Sequence, residues 1–336
     1  QSFAVSLAQI VKPAILNYRE TARRGSTCEG EFWVILMVSN STPQVPHRGP
    51  FGYYTAAGLP LYYPGARQKG GLAIVMELVI LGSGAGCGVP SFFCDCAACQ
   101  EAAVVPACRR TRCSLAIVGK QVTLIDAPPE FRSQLIREGI DRIDHFFMTH
   151  WHYDHAGGLG DLEFYVRVKR GEAIPAYMTA ETKEWLERAF WFLEDCLYIQ
   201  TLAPGYQVDA DGVSYTALAC THAPGTVGWL MESRSGRRTA YIPDTGPLPD
   251  TTSALLAGVD TLILGASFWG RNWMPDTHLS VDEAVRIALD VKAKQTYLTH
   301  LSMHHDTPVT CRELEAYLGS AGPGLRLAYD GTRIEI

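Results

Sequence analysis

Long apolar runs are missing from this chain. The longest near its start, Phe32 to Val38, is far shorter than the roughly 20 residues a membrane-spanning helix needs. A basic leader followed by a clean apolar core is also missing, because Lys12-Pro13 interrupts the only candidate, so no secretory signal is expected. Basic charge is not in excess either: 29 Lys and Arg stand against 35 Asp and Glu, a formal net charge of -6. That balance argues against a general binder of nucleic acid or of anionic membranes, and leaves local patches such as Arg109-Arg110-Thr111-Arg112. The expectation is a cytoplasmic protein with neither nucleic acid nor membrane as partner. No internal repeat is visible.

What is present is an ordinary globular composition, 47% hydrophobic and 19% charged over 336 residues, enough for one large domain or two smaller ones. The ten cysteines do not read as a disulfide set. Cys94, Cys96 and Cys99 lie too close together to bridge one another, and in a chain of this size such spacing points to metal.

Residues 1–75 show Pro, Gly and Tyr clusters, Gly49-Pro50-Phe51-Gly52-Tyr53-Tyr54 among them, and no sustained period. They read as an N-terminal extension, with the working domain spanning 76–336. From Met76 the pattern becomes regular. Glu77 to Leu81 is an apolar strand running into the glycine-rich turn Gly82–Gly88. That turn lacks the Gly-Lys-Ser/Thr ending of a phosphate-binding loop, so close backbone packing beside a site is its expected role. Strands follow at 115–118, 122–125 and 146–149, with a helix after Phe131 closed by Gly139. Ile174–Met178 reads as a strand, then a helix from about Ala180 to Tyr198 carries Trp185, Phe190, Trp191 and Phe192. Those aromatics suit a lid, a homodimer contact or core packing alike. Further strands are expected at 213–219, 227–231, 239–242, 260–264 and 295–299. Ser280…Glu283 and Thr310…Glu313 are capping-box signatures of helices. Residues 325–329 and 332–336 read as a hairpin around Asp330-Gly331. Runs of strands with helices between them suggest sheets packed among helices.

The chemistry concentrates in His150-Trp151-His152-Tyr153-Asp154-His155, four metal-ligand side chains in six residues. These four cannot complete two coordination shells, so more ligands must follow. Three candidates do, each just past a strand end: His222, Asp244 and His300. Taken alone, each also reads as a capping His, a turn Asp or a core His. Strand ends are rigid and open at one sheet edge, which suits preorganised ligands.

This set resembles the metallo-β-lactamase superfamily, whose fold is an αββα sandwich with a dinuclear metal site at one edge. The resemblance implies that His150, His152 and His222 hold one metal, that Asp154, His155 and His300 hold the other, and that Asp244 bridges them. Zinc or manganese suits such nitrogen and carboxylate ligands. Leu81–Pro90, Cys94-Asp-Cys-Ala-Ala-Cys99 and Arg109–Ser114 narrow the resemblance to the PhnP family of phosphodiesterases associated with carbon–phosphorus lyase. It implies a structural zinc on Cys94, Cys96 and Cys99, completed by a histidine after the last active-site one. The family spacing falls on Met303, a departure that makes His304 the nearest candidate and His305 the next.

His278, in Pro275-Asp-Thr-His-Leu-Ser280, matches the family's general acid, although it also reads as a surface His before a helix cap. Trp269 and Trp273 are candidates for a pocket wall. The expected function is hydrolysis of a small phosphodiester, such as a cyclic ribose phosphate, by a metal-activated hydroxide. Asp154, Asp244 and His278 are the expected catalytic residues. Rivals are a lactonase, thioesterase or RNA-processing nuclease on the same scaffold, or a non-catalytic zinc-stabilised relative of the pyrroloquinoline quinone biosynthesis protein PqqB.

Overall fold

The computed structural model describes residues 76–304 and 307–336. The expected extension 1–75 and the alternative zinc ligand His305 lie outside the described residues.

Fourteen strands form two seven-stranded sheets. The first contains β1 (Glu77–Gly82), β2 (Ser114–Val118), β3 (Val122–Ile125), β4 (His145–Phe147), β5 (Ile174–Met178), β6 (Leu197–Thr201) and β14 (Thr332–Glu335), in the order β14-β1-β2-β3-β4-β5-β6. The second contains β7 (Gln207–Ala210), β8 (Val213–Ala219), β9 (Val227–Ser233), β10 (Arg238–Ile242), β11 (Thr261–Gly265), β12 (Gln295–Thr299) and β13 (Leu325–Leu327), in the order β13-β12-β11-β10-β9-β8-β7. Each sheet is antiparallel at one end and parallel at the other. Strands β3 to β6 run parallel, as do β10 to β13.

Because neighbouring side chains on a strand point to opposite faces, each buried strand feeds two cores. On β1, Leu78 and Ile80 join Phe147, Tyr215, Trp229 and Ile263 between the sheets. Val79 and Leu81 face the other way, into a core with Phe131, Leu162 and Leu186. On β11, Ile263 turns inward while Leu262 and Leu264 meet the helical side with Val285 and Leu314. The outer layers are helices: α2 (Phe131–Glu138), α4 (Gly160–Phe164) and α5 (Ala180–Ala189) on the first sheet, and α6 (Asp250–Leu256), α7 (Val281–Asp290) and α8 (Cys311–Ala321) on the second. The result is the four-layer αββα sandwich expected from the sequence. Two further helices, α1 (Ala97–Val104) and α3 (Tyr153–Ala156), carry site residues. Among the described residues no helix is long and apolar enough to cross a membrane.

Both expected capping boxes form, at Ser280 and Thr310, and Gly139 caps α2 at φ 68°. Several segments differ from expectation, the unanticipated helices α1, α4 and α6 among them. The helix starting at Ala180 ends at Ala189, where Phe190 leaves helical geometry at φ −129° and ψ 47°. The bulky run Phe190-Trp191-Phe192 turns back, and Leu197–Thr201, rich in strand-forming residues, adds an edge strand. Trp185, Phe190 and Phe192 pack on the outer core of the first sheet. The short strand β7 (Gln207–Ala210) has too little apolar content to show a period.

The last two strands do not form a hairpin. β13 pairs with β12 and β14 pairs with β1, so the Asp330-Gly331 turn carries the chain from one sheet to the other. Asp330 explains this. Its Oδ1 accepts from the Ser83 amide (2.9 Å) and hydroxyl (2.8 Å), and its Oδ2 from the Thr111 amide (2.9 Å) and hydroxyl (2.6 Å). These bonds fix the turn against the glycine-rich loop rather than against its own flanking strands.

Candidate metal centre and active site

The seven expected ligands gather at one edge, where strands of both sheets end. His150 and His152 follow β4, and Asp154 and His155 sit on α3. His222 follows β8, Asp244 follows β10, and His300 follows β12. His150, His155, Asp244 and His300 are buried, while His152, Asp154 and His222 are half-buried at the opening.

The donor atoms converge in three overlapping groups, His150–His152–His222, His150–His155–Asp244 and Asp154–His155–His300, each within 4.8 Å. His222 Nε2 is 3.0 Å from His152 Nδ1. Asp244 Oδ2 is 2.8 Å from His155 Nε2, 3.1 Å from His300 Nε2 and 3.9 Å from His150 Nε2. Asp154 Oδ2 is 3.3 Å from His300 Nε2 and 3.6 Å from His155 Nε2. Ligands at about 2.0–2.1 Å around a tetrahedral ion are separated by about 3.3–3.4 Å, so these spacings suit a common cation. Asp244 is the group that both halves of the cluster reach.

Hydrogen bonding points the same way. His150 Nε2 and Asp244 Oδ1 are buried with no hydrogen-bond partner among the described residues, and His155 Nε2 and Asp244 Oδ2, also buried, face each other at 2.8 Å without hydrogen-bond geometry. Buried polar atoms are seldom left so, and a divalent ion would satisfy all four. Most of the imidazoles are held from behind. His150 Nδ1 is 3.0 Å from Thr149 Oγ1, His155 Nδ1 is 2.9 Å from Asp126 Oδ2, His222 Nδ1 is 2.8 Å from the Thr277 carbonyl, and His300 Nδ1 is 2.9 Å from Ser267 Oγ. Such partners orient a ligating ring and fix its tautomer, and here they aim four Nε2 atoms inward.

Sequence reading missed Asp126, Thr149 and Ser267 as parts of the site. Asp126 is fully buried at φ 63°, an unusual conformation for a residue other than glycine. Its Oδ1 also accepts from the Thr149 amide at 2.7 Å and its Oδ2 from the Thr149 hydroxyl at 2.8 Å. His300 likewise sits at φ 53°. An Asp closing a strand was the only available signal, and an Asp ends many strands that carry no site.

Electrostatics follow from burial and these contacts. Burial pushes the His150 imidazole well down. Burial would lower His155 too, but the carboxylates of Asp154, Asp126 and Asp244 outweigh it and hold that ring well up. Burial opposes ionisation of Asp244 and Asp154, yet the surrounding histidines keep both below the usual carboxylate range. The buried carboxylates of Asp126, Asp154 and Asp244 form a field that favours a positive charge among them, which the His155 imidazole itself answers in part.

A cavity of about 290 Å³ opens over the cluster, lined by Gly86, His152, Asp154, His222, Asp244 and His300 on one side and by Phe268, Trp273, Met274 and His278 on the other. Gly86 belongs to the glycine-rich turn, and a Cβ there would meet Asp154 Oδ2 at 3.2 Å. His278 stacks on His222 with ring centroids 4.7 Å apart, and its Nδ1 is 3.6 Å from Asp244 Oδ1. Burial pushes its imidazole down to about 4. Trp273 lines the cavity, whereas Trp269 packs edge-on against Tyr317 of α8.

A second candidate site lies apart from the first. Cys94, Cys96 and Cys99 place their sulfurs within 4.8 Å of one another at the start of α1. His304 Nδ1 is 3.9 Å from Cys99 Sγ, close to the 3.5–3.8 Å or so separating sulfur and nitrogen ligands on tetrahedral zinc. Met303, at the spacing where the resemblance expects histidine, instead turns its sulfur to Arg110 Nε at 2.9 Å.

Comparison with known proteins agrees with this geometry. Residues 122–301 match the profile described as "Beta-lactamase superfamily domain". A solved structure described as a new diphosphatase from the PhnP family superposes with a TM-score of 0.68 at 32% identity, covering 78% of this chain and 98% of that one. Coenzyme PQQ synthesis protein B of Cupriavidus taiwanensis is 27% identical over 308 residues, 76% of this chain and 98% of that protein. An octanoyltransferase of Porphyromonas gingivalis is 44% identical over 90 residues, but the match spans only 18% of that protein and 26% of this chain. By fold, matched domain and relatives, the chain belongs to the metallo-β-lactamase superfamily and is a PhnP-like member of it.

Proposed function

We propose that the protein is a metal-dependent phosphodiesterase acting on a small diester, with a cyclic ribose phosphate as one candidate. The observation that carries the reading is the placement of His278 beside the seven-residue cluster, at the rim of the same cavity. His150, His152 and His222 would hold one divalent ion and Asp154, His155 and His300 a second, with Asp244 within reach of both sets of ligands. Zinc or manganese suits these ligands. Such a pair supplies an activated water and offsets the charge of the phosphate.

The chain's own residues do the rest. Asp126, Thr149, Ser267 and the Thr277 carbonyl hold the ligating rings in place. Phe268 and Trp273 line one side of the cavity with carbon. His278 faces the position from which a leaving oxygen departs and delivers a proton to it. Burial lowers its proton affinity, and a phosphodiester anion beside it would raise it. Cys94, Cys96, Cys99 and His304 would hold a structural zinc apart from the seven-residue cluster.

The diphosphatase of the PhnP family supports phosphate chemistry. The relationship to PQQ synthesis protein B supports a second reading, in which the scaffold binds metal without hydrolysing phosphodiesters. Incubating the zinc- or manganese-loaded protein with activated phosphodiesters, lactones and thioesters separates the readings. Turnover of phosphodiesters that falls in His278→Ala supports the proposal. Cleavage of lactones or thioesters alone, or no turnover at all, overturns it.

A further inference from the structure

Phe268, Trp273 and Met274 form an apolar wall on the His278 side of the cavity. Phe268 is buried, its ring centroid 6.0 Å from that of His278 and 6.2 Å from that of Trp273. Trp273 and Met274 remain about half exposed, at 45% and 49%. A large apolar surface kept open beside reactive groups is a place where a ligand buries carbon. The wall is also braced. Asn272 donates to the His278 carbonyl at 2.9 Å and to Glu283 of the α7 capping box at 2.8 Å, while its own Oδ1 accepts from the Met274 amide at 3.0 Å. The amides of Thr277 and His278 both bond to the Met274 carbonyl. The wall and the proton donor are therefore parts of one tied loop.

Charge narrows the occupant. Among the described residues lining the cavity none is Lys or Arg. A second phosphate placed against the wall would meet carbon and no Lys or Arg, a costly arrangement for an anion. We propose that this wall is the leaving-group subsite, and that it selects a phosphodiester whose departing alcohol is aromatic or bulky and apolar, in preference to a diphosphate. The inference rests on the phosphodiesterase reading. In the step, the water oxygen bonds to phosphorus and the bond from phosphorus to the aryl oxygen breaks, its electron pair leaving with that oxygen. His278 supplies the proton that makes the neutral alcohol, and the proton lost by the water restores His278 through solvent.

Phenyl 2-naphthyl phosphate tests this directly, because its two leaving groups are of nearly equal basicity and differ mainly in apolar area. The metal-loaded protein should release 2-naphthol over phenol by about tenfold, in line with what extra apolar contact earns in a pocket. Trp273→Ala should bring the ratio close to one, and Trp273→Phe should keep most of it. Equilibrium dialysis with 2-naphthyl phosphate should show binding weakened by about tenfold in Trp273→Ala, without any turnover. Cleavage with no preference, a ratio unchanged in Trp273→Ala, or faster turnover of methyl diphosphate overturns the wall assignment and leaves the phosphodiesterase reading standing. No cleavage of any phosphodiester overturns both.

Discussion

The Nδ1 atom of His155 lies 2.9 Å from Oδ2 of Asp126, and both side chains are fully buried. The contact links a residue at the end of β3 to the helix that carries Asp154 and His155, and the same carboxylate also holds Thr149, the residue before His150. One carboxylate thus orders both ends of the motif loop. Removing an orienting partner of this kind typically lowers metal affinity by about 10–100-fold. Asp126→Ala should show that loss in a zinc titration while retaining its helical and strand signal by circular dichroism. Unchanged affinity would mean that the backbone alone positions His155.

His278 should separate catalysis from metal binding. His278→Ala should keep its metal content and lose roughly 10²-fold or more in kcat on diesters with poorly acidic leaving alcohols. With 4-nitrophenol as leaving group the loss should shrink, because that oxygen needs little help from an acid. A fall in metal content would reassign His278 from proton donor to ligand.

Asp330 is predicted to matter for stability and not for chemistry. Its four hydrogen bonds to Ser83 and Thr111 tie the last turn to the glycine-rich loop and to the strand entry at Thr111, and hydrogen bonds to a charged group contribute a net ~1.5–3 kcal/mol each, less than additively where they share one carboxylate. Asp330→Ala should lower unfolding free energy by about 2–4 kcal/mol in urea titration. A loss under about 0.5 kcal/mol would show that the strand pairings suffice.

Much of the candidate site was legible because its residues are rare types in tight spacing. His150-Trp-His-Tyr-Asp-His155 stands out in any composition, and His222, Asp244 and His300 each follow an apolar strand that can be read from its pattern. The groups that orient these rings are less visible. Thr149, Ser267 and the Thr277 carbonyl are ordinary until folding brings them to a ring nitrogen, and Asp126 differs from many strand-ending acids only by its burial. The fold was legible for the same reason as the strands: near-continuous apolar runs buried on both faces. The final turn was misread because Asp330-Gly331 carries a hairpin signature locally, whereas its pairing is decided by partners 219 and 247 residues away in sequence. Trp269 and Trp273 illustrate the same limit. Four residues apart, one packs on α8 and the other opens onto the cavity, and no local pattern distinguishes them.

The cysteine cluster should behave as an independent metal site. Cys96→Ser should bind about one metal fewer per chain and unfold at a lower temperature, since a closed zinc site contributes directly to folding. His304→Ala should lose metal at the same site. Active-site metal content and turnover should persist wherever the folded fraction persists. A Cys96→Ser protein with full metal content and an unchanged thermal midpoint would exclude this assignment.

The central claim is that Asp244 joins two metal-holding halves of one hydrolytic centre. Metal content and phosphodiester turnover measured together on wild type and Asp244→Ala test it most directly. The account predicts about three metals per chain in wild type, two at the cavity and one at the cysteines. In Asp244→Ala it predicts retention of the cysteine metal, loss of one or both cavity metals, and loss of turnover. Full metal content with unimpaired turnover in Asp244→Ala, or a wild type that binds metal only at the cysteines, would contradict it.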